Sequence, residues 1–172
     1  SENKHELAVS YAEAERFKGI CYYHLGQIKE AAQIQESALQ HYQHLGEKQS
    51  IARVQMELGM TYRAGGNYSS ACEFYQASMV EWRRQNNLYS QADVHNSLGV
   101  LYHAQGEYEK AAREFEEGLD CIGKIGSARL EAFLLTSLVD LLIDLDEFAS
   151  AEKAFFKAIL VLQGTDFHFL YN

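Results

Sequence analysis

Two stretches of sequence 40 residues apart decide the fold: LGMTYRAGGNYSSACEFY at 58–75 and LGVLYHAQGEYEKAAREF at 98–115. Each has a Leu-Gly pair, a tyrosine three residues after that glycine, a Gly-x-Tyr, and an alanine followed four residues later by an aromatic ring. Weaker copies of the pattern begin at Gly19 and at Val139. Self-similarity at a fixed period is typical of repeat architectures, so the chain is predicted to contain four units of one kind.

The spacing within the second copy predicts a pair of helices. Gly59 and Tyr62 share one helical face because they are three residues apart. Gly66 follows where a helix can end in the left-handed conformation that glycine adopts easily. Ala71 and Tyr75 lie one turn apart in the next helix. Each copy therefore predicts a helix, a tight turn and an antiparallel helix.

This pattern resembles the tetratricopeptide repeat, whose signature is Leu-Gly, Tyr, Gly-x-Tyr, and then Ala with an aromatic residue. The resemblance covers roughly residues 8–164 and implies an all-α fold, a right-handed α-solenoid of four helix-turn-helix hairpins. A HEAT or armadillo array has a similar period, but it does not explain Gly-x-Tyr at 66–68 and 106–108.

One domain is predicted over residues 1–172, divided into repeats at about 8–46, 47–86, 87–125 and 126–164. First helices are expected near 8–25, 48–64, 88–104 and 127–144, and second helices near 28–45, 68–85, 108–123 and 148–163. The 40-residue period exceeds the family's usual 34, so long helices are expected. This long form resembles the sensor and scaffold domains of MalT-like bacterial transcriptional regulators.

The C-terminal sequence suggests an interrupted repeat. Gly164 is expected to end the last helix, and Thr165-Asp166 offers N-cap chemistry for a new one. Residues 165–172 are therefore interpreted as the truncated next helix of a fifth repeat. On this hypothesis the chain is a fragment of a larger protein.

Composition excludes several classes of function. A net charge of −9 argues against direct nucleic-acid binding, since phosphate contacts need clustered Lys and Arg. No window approaches 18 uncharged apolar residues, so no membrane span is predicted. The polar start carries no signal peptide, and Cys21, Cys72 and Cys121 suggest buried, reduced thiols. These features predict a cytoplasmic location.

The sequence contains no recognisable catalytic constellation, and an enzymatic function is not expected. Glycine pairs such as Gly65-Gly66 end helices and do not follow strands, so they do not form a phosphate-binding loop. His41 and His44 could face a metal from one helix, but no motif supplies two further ligands. No metal site and no cofactor are therefore predicted.

The resemblance implies where a partner would bind. In the family, the first helices line a concave groove, and polarizable methionines such as Met56 and Met60 suit an adaptable surface. The expected groove positions are Arg16, Ile20, Tyr23, Arg53, Met56, Met60, Arg63, Asn96, Val100, His103, Thr136, Asp140 and Ile143.

These features favour a scaffold that binds a protein or peptide in the groove, as the regulatory or sensor part of a bacterial signalling or transcriptional regulator. One alternative is a receptor for a small molecule or peptide that switches by changing the pitch of the superhelix. Another is a structural array that forms a homodimer through its exposed ends.

Overall fold

The computed structural model describes the backbone of residues 2–169 and the side chains of residues 3–164. This part of the chain forms eight α-helices and no strand. The helices are α1 (Glu2–His24), α2 (Ile28–Leu45), α3 (Lys48–Ala64), α4 (Tyr68–Arg84), α5 (Leu88–Ala104), α6 (Tyr108–Gly123), α7 (Ala128–Asp144) and α8 (Phe148–Phe169). They form two compact units, unit 1 (Ser1–Asn86) and unit 2 (Asn87–Asn172).

Unit 1 contains two hairpins, α1–α2 and α3–α4, and α2 packs on α3 to join them. Its core includes Leu39, Tyr42 and Leu58, all buried. The close approach predicted for glycine is present between α3 and α4. A Cβ atom added to Gly59 would lie 2.5 Å from the ring of Tyr75, which is fully buried.

Unit 2 repeats this arrangement with the hairpins α5–α6 and α7–α8, and both α5 and α6 contact α7. Phe115, Leu134 and Leu141 are fully buried in its core. A Cβ atom on Gly99 would lie 2.5 Å from the Phe115 ring, matching the glycine and aromatic pair of unit 1. The two strong copies of the sequence pattern therefore form equivalent packing contacts.

Left-handed residues end the first helices, as the repeat pattern predicts. Gly66 has a φ of +77° and Gly106 a φ of +75°. Asp146 takes the same place in the fourth hairpin with a φ of 60°. Asp and Asn tolerate this conformation better than other residues with a Cβ atom. The turn therefore survives in a copy that lacks the glycine.

Two expectations at the ends of the chain were wrong. α1 begins at Glu2, not near residue 8, and α8 continues through Gly164 to Phe169. Gly164 stays helical because a glycine inside a helix costs only about 1 kcal/mol relative to alanine. It stops a helix only where the chain takes a positive φ. The remaining residues of the predicted new helix, 170–172, lie outside the described residues.

A third correction concerns the cysteines, which were expected to be buried. Cys121 is buried and Cys72 half-buried, but Cys21 is exposed. Thr61, the equivalent of Cys21 in the next hairpin, is buried against Gln35 of α2. No described helix occupies that position beside α1, so the thiol of Cys21 faces solvent.

Among the described residues, no helix combines the length and the apolarity needed to cross a membrane.

Candidate partner-binding surfaces

The predicted groove residues of unit 1 lie on its two first helices, α1 and α3. Ile20 and Tyr23 of α1 meet Met60 of α3 at a cavity of about 190 Å³, here called the unit 1 pocket. His24, Gln35, Glu57 and Thr61 complete the lining. Residues 40 apart in the sequence thus converge because equivalent helices of successive hairpins stand side by side.

Two of the polar groups that line the unit 1 pocket are paired with each other. The Thr61 hydroxyl donates a hydrogen bond to Oε1 of Gln35 at 2.7 Å, and both residues are buried. Ile20, Tyr23 and Met60 supply apolar side-chain surface, and all three are half-buried. The unit 1 pocket is therefore suited to an apolar side chain.

Arg16 was predicted as a groove residue, and the structure places it in a buried ion pair. Its side chain is 7% exposed, and Nη1 lies 2.5 Å from Oε1 of Glu57. Nη2 lies 3.6 Å from Glu13, and the guanidinium stands 4.3 Å from the centre of the Phe17 ring. The charge of Arg16 is thus largely balanced by carboxylates within the protein.

Glu57 connects this ion pair to the unit 1 pocket. Burial raises the pKa of the Glu57 carboxyl above its usual value, and the nearby Arg16 acts in the opposite direction. Oε2 of Glu57 is buried and has no hydrogen-bond partner among the described residues. Arg16 therefore holds in place a carboxylate that lines the pocket.

Three further predicted residues lie along α3. Arg53 is exposed, while Met56 and Arg63 are half-buried. Nε of Arg63 is buried and has no acceptor within the part of the chain that the structure describes. Arginines are therefore present on the same helix as the apolar wall formed by Met60.

In unit 2, the predicted residues of α5 differ in exposure. Asn96 is buried, with 4% of its surface exposed, and Val100 packs against the core cluster. His103 is half-buried, and its Nε2 lies 2.7 Å from Oδ2 of Asp144. Of the three, only His103 has a described side-chain hydrogen bond.

The predicted residues of α7 are all exposed: Thr136, Asp140 and Ile143. The Thr136 hydroxyl donates a hydrogen bond to the carbonyl oxygen of Phe133 at 2.7 Å. No cavity described in unit 2 is lined by these three residues. They remain a predicted contact surface.

Sequence reasoning missed a second cavity of about 190 Å³, here called the unit 2 cleft. It is lined by Tyr89, Asp93, Arg129, Leu130 and Phe133. Burial raises the pKa of the Asp93 carboxyl, and the positive charge of Arg129 lowers it. A signal for this cleft was present, because Asp93 and Phe133 follow the predicted groove residue Arg53 at successive intervals of 40.

The histidines considered as metal ligands have other partners. His41 Nδ1 lies 2.7 Å from Oε2 of Glu15, and His44 Nδ1–H donates to the carbonyl oxygen of Gln40 at 2.7 Å. Among the described residues, no three His, Cys, Asp or Glu side chains are grouped as metal ligands.

Comparisons with known proteins identify the repeat family of this architecture. A family model described as tetratricopeptide repeat matches residues 10–79 and 50–124, which together span more than half of the chain. The predicted all-α repeat fold is confirmed by this match and by the structural neighbours. No curated protein sequence matches the chain.

Three solved structures illustrate the likeness. BtubC (BKLC) from P. vanneervenii has a TM-score of 0.78 at 20% identity, covering 90% of this chain and 64% of its own. The apo form of RapI has a TM-score of 0.77 at 20% identity, with coverage of 90% and 43%. Aspartyl phosphate phosphatase F from Bacillus subtilis has a TM-score of 0.66 at 14% identity, with coverage of 91% and 50%. The chain spans less than two thirds of each neighbour, and identities this low relate folds alone.

Proposed function

Because the chain belongs to the tetratricopeptide repeat family, we propose that it is a non-enzymatic interaction module that binds a peptide or helix of a protein partner on its first helices. The observation that carries this proposal is the unit 1 pocket, where Ile20, Tyr23 and Met60 supply the apolar wall of one cavity. Groove docking of a peptide depends on such pockets, since a few buried anchor side chains contribute most of the binding energy.

The chemistry of unit 1 suggests the kind of peptide. An apolar side chain would enter the unit 1 pocket, and the flexible thioether of Met60 would adapt to its shape. Arg53 and Arg63, on the same helix, favour an acidic residue elsewhere in the peptide. We therefore infer an amphipathic ligand with some acidic character, and binding requires no cofactor.

We further propose that the module is the regulatory or sensor part of a bacterial signalling or transcriptional regulator, acting in the cytoplasm. The 40-residue repeat, which resembles that of MalT-like regulators, supports this assignment. The net charge of −9 supports a role without direct nucleic-acid contact. On this proposal, any DNA contact would be made by another domain.

Two alternatives rest on specific observations. The apolar lining of the unit 1 pocket would also suit a small apolar molecule, which favours a receptor. Exposed apolar side chains on α8 favour a homodimer instead: Phe155, Phe156 and Leu160 are 49%, 55% and 66% exposed. Both alternatives are distinguished from peptide binding by the experiment below.

The test is selection of a phage-displayed random peptide library on the purified chain. Peptides that share an apolar anchor are expected, and Met60→Glu should weaken their binding at least about tenfold, because it places a charge in the apolar cavity. Val80→Glu is the matched control, since Val80 is 68% exposed on α4 and lies outside the pocket. It should bind like the unaltered chain.

Circular dichroism melting of each variant verifies folding, and Ile20→Ser provides a second pocket variant if Met60→Glu unfolds. Unchanged peptide binding by both folded pocket variants would contradict the proposal. If no peptide is enriched and a small-molecule screen finds a compound that stabilises the chain, the receptor is favoured. Concentration-dependent light scattering without peptide binding would favour the homodimer.

A further inference from the structure

We propose that the unit 2 cleft binds a basic side chain of a partner peptide, with the Asp93 carboxylate as the ionic contact and the rings of Tyr89 and Phe133 as the walls. This inference deepens the proposed function, on which it rests, by naming a second chemical class in the ligand. It concerns residues that the unit 1 pocket does not share.

The aromatic walls of the cleft are open to solvent. Tyr89 is 46% exposed and Phe133 is 56% exposed, although both side chains are large and apolar. Tyr89 lies one turn before Asp93 on α5, and Phe133 lies one turn after Arg129 on α7. Exposed aromatic faces attract cations through the ring quadrupole, most often the guanidinium of arginine. Core packing therefore does not explain the exposed position of these two rings, whereas contact with a cation does.

The Asp93 carboxylate is available to a ligand. It is half-buried, yet it makes no hydrogen bond and no ion pair within 4 Å among the side chains that the structure describes. Two half-buried acidic groups of unit 2, by contrast, have partners: Glu131 lies 2.9 Å from Lys157, and Glu114 lies 2.7 Å from His95. A partly desolvated carboxylate without a partner gains most from an incoming donor cation.

The charge of unit 2 selects the sign of the ligand. Unit 2 has fourteen acidic and six basic side chains, a net charge of −8. Such a field attracts cationic ligands and disfavours anionic ones. Arg129 is the exception at the cleft, because its positive charge acts on Asp93. A basic ligand must therefore compete with Arg129 for Asp93. Removing the charge of Arg129 consequently tests whether the cleft prefers a cation or an anion.

The size of the cleft agrees with this ligand. The volume of the cleft, about 190 Å³, is well above the roughly 10–15 Å³ that a cavity needs to hold one water molecule. That space accommodates a guanidinium or ammonium group with part of its methylene chain. An entire helix does not fit, so the cleft binds one side chain.

The experiment is an NMR titration of the ¹⁵N-labelled chain with acetyl-Gly-Arg-Gly-amide. Acetyl-Gly-citrulline-Gly-amide is the matched probe, since citrulline keeps the shape of arginine without its charge. The arginine peptide should shift the amide signals of residues 89, 93, 129, 130 and 133. The citrulline peptide should bind at least about fivefold more weakly.

Three substitutions test the separate roles. Asp93→Asn should weaken arginine-peptide binding at least about fivefold, because it removes the charge and keeps the shape. Phe133→Leu should weaken it about two- to fivefold, the loss expected for one exposed cation–π contact. Arg129→Gln should strengthen it, because a competing cation is gone.

Equal binding of the two probes, or no effect of Asp93→Asn, would overturn the inference. Weaker binding by Arg129→Gln would also overturn it, since the cleft would then favour an anion. Met60→Glu should leave this titration unchanged. If Met60→Glu abolishes binding of the selected peptides while the arginine probe fails, the proposed function stands and only this inference falls.

Discussion

Units 1 and 2 repeat one packing scheme but differ in surface charge. Gly59 with Tyr75 and Gly99 with Phe115 make the same close contact at equivalent positions. By contrast, unit 1 has nine basic and ten acidic side chains, and unit 2 has six and fourteen, which gives net charges of −1 and −8. The repeated residues therefore maintain the core, while residues between them determine what each unit attracts.

The partly buried carboxylates of the two units show the same contrast. Glu57 of unit 1 forms an ion pair with Arg16 at 2.5 Å. Asp93 of unit 2 has no ion pair among the described residues, and only the longer-range charge of Arg129 acts on it. Burial raises the pKa of both carboxyls. One carboxylate is thus committed to the fold, while the other remains free for a ligand.

The largest effect on stability is expected from breaking the ion pair of unit 1. Glu57→Gln should lower the free energy of unfolding by about 3 kcal/mol, because it leaves the Arg16 guanidinium buried beside a neutral amide. The remaining contact with Glu13, at 3.6 Å, keeps the loss at the lower end of the usual range. Urea unfolding followed by circular dichroism measures it.

The raised pKa of Glu57 points the other way, because protonation would also neutralise the partner of Arg16. The expected loss rests on the geometry of the ion pair, 2.5 Å between Nη1 and Oε1, and a gain in stability would show that burial of the carboxylate outweighs this pair. Glu73→Gln, on the exposed side of α4, is the matched control and should change stability by less than about 0.5 kcal/mol. If Glu57→Gln were equally harmless, the ion pair would not be structural.

The next effect tests the equivalence of the two cores. Gly59→Leu and Gly99→Leu should each destabilise the protein by about 1–3 kcal/mol, because each side chain would overlap a buried ring. Similar losses in thermal or urea unfolding would support equivalent packing. Gly123→Ala is the control, since no atom lies within 4 Å of its added Cβ. It should be neutral or stabilising by up to about 1 kcal/mol.

A large difference between Gly59→Leu and Gly99→Leu would show that the shared sequence pattern conceals unequal cores. A loss with Gly123→Ala would mean that backbone effects, rather than overlap with a ring, explain the glycine results.

Helix positions were predictable from the sequence because the repeat marks both helix faces and helix ends. The helix expected near 68–85 is observed at Tyr68–Arg84, and Gly66 ends its predecessor in the predicted conformation. Gly164 was wrongly predicted to end the last helix, because glycine permits a left-handed helix end but does not require one. The sequence alone did not distinguish these two glycines.

The candidate sites were less predictable, since they depend on contacts between hairpins. The partner of Arg16 is Glu57, 41 residues away, and no local pattern indicates that they meet. The unit 2 cleft needed both Tyr89 on α5 and Phe133 on α7. The 40-residue period, counted from Arg53, could have indicated Asp93. That Asp93 lacks an ionic partner is visible only in the structure.

The smallest expected effect sharpens the contrast between the carboxylates. Burial raises the pKa of folded Asp93 above the value of about 3.9 that is usual for an unfolded chain. Between these two pKa values the folded protein binds more protons than the unfolded one, so this group's contribution to stability falls as pH rises. Asn cannot titrate. Asp93→Asn should therefore be more stable than the unaltered chain at pH 7, by less than about 1 kcal/mol, a size typical of partly exposed charges.

This advantage should shrink as the pH is lowered through the raised pKa of Asp93, because the unaltered carboxyl then becomes neutral as well. Urea unfolding of both proteins at pH 7 and pH 4 measures the difference, and titrating groups common to both largely cancel. An advantage that grew at pH 4 would mean that the Asp93 carboxylate is stabilised in the folded protein. Asp93 would then be held by a cation in the folded protein, and the contrast between the two units would reduce to their net charge.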